Sequence, residues 1–383
     1  MNIQRFMAIL FLCMTLFSCT EKYYPEIDEN ASVLVVDGKI TNEIGSCEVR
    51  LFRTVKFTDD FSLKPERDAI VILHDDLGQN EILTEFDAGI YRSSSNKING
   101  TIGNSYWIEI QTAAGDKYES SPEKMNSPFE ISSIYGDEKT FITDDNSKKN
   151  GVGIYFDATN QDDQASYLRW EYQESYEWHS PYTIVEKYYD NAATICYPVN
   201  EYPLINIFDA SSLVIKEVNH LLTSKILQHE LKLEHEYLLD MRLYSITQEN
   251  HEFWENTKAI HKSNGNLYDI LPANIRGNIS SCKDNCEVLG YFEASSVRKI
   301  KRFFTKNEFS LEFSDFDKDC EKFMKRLDLI TPPPPANIFE IIDSYQENKE
   351  MVYIVRWRYC YECNAKYPTK KPSFWPISTK SKI

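Results

Sequence analysis

The sequence predicts a mainly β protein, organised as two β-sandwich domains with one substantial helix. Three observations carry that prediction. Tyr 24, Phe 21 and Trp 6 in 383 residues make the chain rich in aromatics that favour strands. Short apolar runs recur with Gly- and Asp-containing turns between them, the spacing of all-β domains. A helical period of 3.6 appears once, in Phe253, Trp254, Thr257 and Ile260. Hydrophobic residues at 42% and charged ones at 26% match a folded globular chain rather than a disordered one.

The first element is a targeting segment, residues 1–18. Met1–Arg5 is a short basic start, and Phe6–Phe17 is an apolar run broken only by Thr15. A charged head and about a dozen apolar residues describe a secretory signal, too short to span a bilayer as a mature helix. Leu16-Phe17-Ser18-Cys19 has the form of a bacterial lipobox, so Cys19 is the expected lipid-attachment residue. Residues 19–32 then form a lipidated tether, polar and carrying four acidic residues. Acidic residues shortly after the cysteine resemble a surface-export signal. Surface exposure at the outer membrane is therefore favoured over a periplasm-facing location. The net charge of -17 argues against nucleic acid as a partner, because phosphates would be repelled.

Residues 33–125 read as the N-terminal β-sandwich. Val33–Val36, Val49–Phe52, Ala69–Leu73 and Tyr106–Ile110 are strand-like, with turns at Asp76–Gly78, Asp87–Gly89 and Ala114–Asp116. The order resembles transthyretin-like or carboxypeptidase-regulatory-like domains. Its tyrosines, Tyr91 and Tyr106, are expected to serve corners. Pro122–Pro128 marks a boundary.

Residues 129–330 read as a second β-sandwich, with an aromatic insertion and a helix over 247–262. In Tyr167–Tyr172, Leu168, Trp170 and Tyr172 share one face, and Arg169 and Glu171 the other. This pattern resembles an immunoglobulin- or fibronectin-like strand. The aromatics Tyr176, Trp178, Tyr182, Tyr188 and Tyr189 follow. They are candidates for a partner or ligand surface, weighed against a place in the core. Tyr237–Ile246 alternates as another strand. Ser245 or Thr247 caps the helix, and Ser263-Asn264-Gly265 stops it. Val288–Phe292 reads as a strand with Gly290 as a bulge or close approach, ended by Ser295-Ser296-Val297. Glu308–Phe316 alternates again. Residues 331–383 hold the Pro332–Pro335 connector, a late strand over Met351–Tyr359 and a Cys-containing tail.

Of nine cysteines, Cys13 leaves with the signal and Cys19 takes lipid. Seven remain, an odd number. Cys282 and Cys286 suit a loop staple. Cys360 and Cys363 suit an internal bond or a bond from that pair to Cys320. A four-thiolate zinc site from the two pairs competes with disulfides in an oxidising compartment, and no metal or other cofactor is assigned. His229 and His235 are six apart, roughly 240° around a helix. That excludes the His-Glu-x-x-His zinc arrangement. No nucleophile elbow, phosphate loop or dinucleotide fingerprint occurs. A non-catalytic protein is expected.

Val35–Asn42, the Trp170 strand, Pro272–Ile279, Glu287–Val297 and a tail with Cys360, Cys363 and Lys371–Trp375 resemble one family. It is the Bacteroidota lipoprotein family of "domain of unknown function 4249". The resemblance implies an outer-membrane lipoprotein, often encoded beside a TonB-dependent transporter, and implies no catalytic residues. The expected role is an accessory or substrate-capture subunit of such a barrel. The alternative is a free-standing surface binder of glycan or peptide. A remote third reading is a hydrolase with an unrecognised carboxylate site.

Overall fold

The computed structural model describes residues 32–54, 64–93, 97–162, 165–180, 194–262, 277–282, 287–313, 320, 322–328, 331–335 and 338–375. The signal segment and Cys19 lie outside these residues, as does all but the last residue of the tether. The described chain is mainly β, with one α-helix.

In the N-terminal unit, alternation along Leu34–Thr41 buries Leu34, Val36 and Ile40 and leaves Asp37 exposed. These residues meet Val71 and Leu73 of Ile70–Asp75, and Ile108 and Ile110 of Ser105–Gln111, in one core fed by two sheets. Tyr91 and Tyr106 do hold corners. The Tyr91 hydroxyl accepts from Ala69 N and donates to Glu66 O, each at 3.0 Å. The Tyr106 hydroxyl accepts from Thr101 N at 2.8 Å and donates to Asn99 O at 3.2 Å.

The second unit repeats the principle. One sheet holds Tyr167–Tyr176 and Glu236–Ile246; the facing one holds Glu130–Ile142, Lys148–Thr159 and Glu217–Leu227. Leu168, Trp170, Leu239, Met241 and Leu243 pack against Val152, Ile154 and Phe156. Across Pro122–Pro128 and the residue after it, the packing passes from one core to the other. Met125 belongs to the first core and Phe129 to the second.

Yet the units are joined. Val288–Thr305 is one strand of 18 residues. Its first part pairs in parallel with Leu34–Thr41, from Leu34↔Val288 to Thr41↔Ser295. Its second part pairs antiparallel with the second unit, from Ser245↔Ser296 to Glu236↔Thr305. The result is a continuous 10-stranded sheet. Ile279–Ser281 also joins the first unit, beside Lys117–Ser120. The N-terminal sheets therefore extend beyond residues 33–125 and draw two strands from residues 279–295.

Ser295-Ser296 does not end the strand, contrary to the sequence expectation. Both serines are fully buried at the crossing, and ladders on either side hold the backbone extended. Tertiary pairing overrides weak strand propensity here. Gly290 is a close approach, as expected: its φ is +109°, and a Cβ there would lie 1.8 Å from Val36 O. Gly277 faces it, with a hypothetical Cβ 1.5 Å from Gly290 O. The Val35–Asn42 and Glu287–Val297 stretches are thus ladder partners.

Glu308 closes a single 3-10 turn, Lys306–Glu308, and residues 309–313 form no strand. The late strand runs Glu350–Trp357, central in a separate 3-stranded sheet with Phe323–Asp328 and Phe339–Glu347.

The helix is Gln248–Lys262. Thr247 caps it, its hydroxyl accepting from Asn250 N at 3.2 Å. Of the predicted stripe, Phe253, Trp254 and Thr257 are half-buried, whereas Ile260 is exposed. Ser245, the other candidate cap, is engaged elsewhere: its side chain accepts from Phe129 N at 2.9 Å.

Candidate functional site

The outward face of the 10-stranded sheet carries a groove of about 1070 Å³. This lies just above the usual range of about 300–1,000 Å³ for small-ligand sites. Strand alternation builds it. As Leu168 and Trp170 turn to the core, Arg169, Glu171 and Gln173 turn outward. Asp37 and Lys39 project from the opening strand, Asp240 and Arg242 from Glu236–Ile246, and Tyr291 and Glu293 from the joining strand. The helix adds Phe253, Trp254 and Thr257 as a wall.

Arg169 is the centre, only 5% exposed. Its Nη1 donates to Glu171 Oε1 at 2.5 Å and its Nη2 to Glu293 Oε1 at 3.1 Å. Its guanidinium lies 4.4 Å from the Tyr244 ring centre and 5.0 Å from that of Trp254. Burial pushes the Glu171 carboxyl up, but the Arg169 and Lys39 charges outweigh it and hold it at about 2. The same charges keep Glu293 below its ordinary value against full burial. Both acids are therefore ionised at neutral pH. Neither supplies the protonated carboxyl that a glycosidase dyad needs. Two buried donors on the lining, Arg169 Nε and Trp254 Nε1, have no hydrogen-bond partner among the described residues. An unmet buried donor carries a desolvation cost that an acceptor from a ligand would remove.

The other end of the groove is aromatic and braced from beneath. Tyr172 and Tyr202 have ring centres 5.6 Å apart, tilted by 32°. Tyr202 donates to Glu174 Oε2 at 2.8 Å, and Lys232 Nζ donates to the same oxygen at 2.9 Å. Glu174, 1% exposed, also accepts from Tyr237 at 2.7 Å and from Ser224. Burial pushes its carboxyl up, yet Lys232 and these donors bring it below its ordinary value.

A second buried acid ties the helix to the sheet. Glu123 accepts from Tyr291 and, at 2.8 Å, from the Thr247 hydroxyl that caps the helix. Burial pushes its carboxyl up to about 7.

The predicted site residues fall elsewhere. Tyr176 and Trp178 are 7% and 2% exposed and belong to the second core, so they are not a ligand surface. The core around them covers both, whereas Tyr172 and Tyr202, only partly buried, reach the groove. Tyr182, Tyr188 and Tyr189 lie outside the described residues, as does Cys286. Cys282 is exposed. Cys360 bonds Cys320, whereas Cys363 bonds Cys196 rather than Cys360. Both tail thiols are thus consumed, and the four-thiolate zinc arrangement has no place here.

His229 and His235 serve separate places, with a 3-10 turn at Leu231–Leu233 between them. His235 instead meets Glu177 and His179, whose donor atoms lie within 4.8 Å of one another. Sequence spacing missed this cluster because His235 comes from a segment more than 50 residues beyond Glu177 and His179. The outward pair Arg169 and Glu171 was the one legible mark of the groove.

No curated protein matches the chain. The family model matches residues 20–301, so it takes in both ladder partners and the groove strands but not the Cys-containing tail. On that match, the chain belongs to the family described as Domain of unknown function (DUF4249).

Proposed function

We propose that this chain is a non-catalytic capture protein, anchored by lipid on Cys19 to an outer membrane of Bacteroidota type. It passes a polar ligand to a TonB-dependent transporter. The observation that carries the binding half is the groove. It combines a fixed guanidinium, unmet donors on Arg169 and Trp254, and the Tyr172–Tyr202 aromatic end. That combination suits a ligand with acceptor oxygens and flat or apolar faces, a glycan or peptide. The lipobox at Leu16–Cys19 and the acidic tether support the anchor. The same groove also supports the alternative, a free-standing surface binder.

One experiment separates the two readings. The tagged, lipidated protein is drawn from its own outer membrane in gentle detergent, and its companions are identified by mass spectrometry. A barrel in stoichiometric amount is the expected result. A protein recovered alone, whose lipid-free form binds a glycan or peptide, overturns the transporter role and keeps the binder. If a glycan and peptide panel finds no ligand weakened about tenfold by Trp254→Ala, the groove is not the binding site.

A further inference from the structure

We infer that Glu177, His179 and His235 form a site for one zinc-class divalent cation. The site is separate from the groove and independent of the function proposed for it. Two imidazoles and one carboxylate are a zinc donor set that leaves a fourth position for water. The three donor atoms already lie within 4.8 Å of one another. Zinc bonds of roughly 2.0–2.2 Å place tetrahedral donors about 3.4 Å apart, so closure asks for side-chain movements of about 1 Å and for the His179 and His235 rings to turn out of their stack until both lone pairs meet the ion. His179 Nε2 is 2.8 Å from Glu177 Oε1, and the His179 and His235 rings are stacked with centres 3.6 Å apart. Both imidazoles thus border the same small space. The His179 and Glu177 side chains are 36% and 21% exposed, so an ion can reach them.

The backbone under the site is fixed, as a metal site requires. Glu177 N donates to Glu236 O at 2.8 Å, locking the segment to the strand that follows His235. Trp178 and His179 pair with Cys196 and Ile195. The Cys196–Cys363 disulfide ties that ladder to the tail.

The test uses the full mature chain with both disulfides formed, and Zn²⁺ and Co²⁺ as probes. Calorimetric titration should give about one equivalent of Zn²⁺, and Co²⁺ should show the intense visible bands of a tetrahedral ion. His235→Ala and His179→Gln lie on separate segments, the first just before Glu236–Ile246 and the second in Trp178–His179. Each should weaken Zn²⁺ binding by at least about 100-fold, beyond the 10–100-fold typical of losing an outer partner. His229→Ala should leave binding unchanged. Metal-free urea midpoints check that each variant folds, and a variant that does not fold yields to the other. Retention of wild-type affinity by a folded ligand variant overturns the site. So does binding well below one equivalent in the wild type.

Discussion

Glu123→Gln is the most decisive single substitution for the packing scheme. Glu123 is 5% exposed, between the N-terminal unit, the joining strand and the helix cap. Removal from water raises its carboxyl from the ordinary 4.5 to about 7. The Tyr291 and Thr247 hydroxyls pull it down without prevailing, and Glu249 and Glu293 add to the rise. The folded state therefore holds a proton that the unfolded chain has released between those values. Its stabilising effect is complete below about pH 4.5 and is lost as pH rises through about 7. At 1.36 kcal/mol per pH unit, the full gap is worth about 3 kcal/mol, with about 2.5 kcal/mol of it between about pH 5 and pH 8. The neutral amide of Glu123→Gln keeps the shape and removes the titration. Urea unfolding followed by tryptophan fluorescence, repeated across that range, reads the difference. The wild type should lose about 2–3 kcal/mol relative to the variant between the two ends of the range. Parallel pH profiles for the two proteins would refute the buried-proton account.

Gly290→Ala forces a Cβ into Val36 O at a φ of +109° and should cost on the order of 3–5 kcal/mol, read as a lower urea midpoint. Lys232→Met leaves Glu174 buried without its cation. It should cost about 3–5 kcal/mol, whereas Lys232→Met with Glu174→Leu should recover much of that loss. Removing both cysteines of a disulfide should cost more for Cys196–Cys363 than for Cys320–Cys360. Their sequence separations are 167 and 40, which give up to about 5 and about 4 kcal/mol of chain entropy. Equal losses would show that strand docking, rather than chain entropy, sets the effect.

What the sequence made legible was local. The alternation of Tyr167–Tyr172 told which side chains face the core and which face the groove, because a strand's period is fixed by its backbone. The helix and its Thr247 cap were readable for the same reason, as were the Tyr91 and Tyr106 corners. What could not be read was the partner of each edge. Nothing near Val288 says that Leu34 lies beside it, and Ser295-Ser296 carries the mark of a strand end. The sites suffered similarly. Tyr176 and Trp178 left a surface and a core place both open, because their burial depends on the facing sheet. Cys363 gave no hint of Cys196, and Glu177, His179 and His235 come together only after the strands have paired.

The parallel ladder between Leu34–Thr41 and Val288–Ser295 has a consequence for how the chain is made. Synthesis delivers the opening strand some 250 residues before its neighbour, so that edge waits, unpaired, while most of the protein is assembled. A fragment ending at the Pro122–Pro128 boundary would keep the edge open permanently and offer it to any strand nearby. Such a fragment should form exchanged dimers or aggregates rather than a clean monomer. A synthetic peptide spanning 287–297, added in excess, should rescue it by filling the gap.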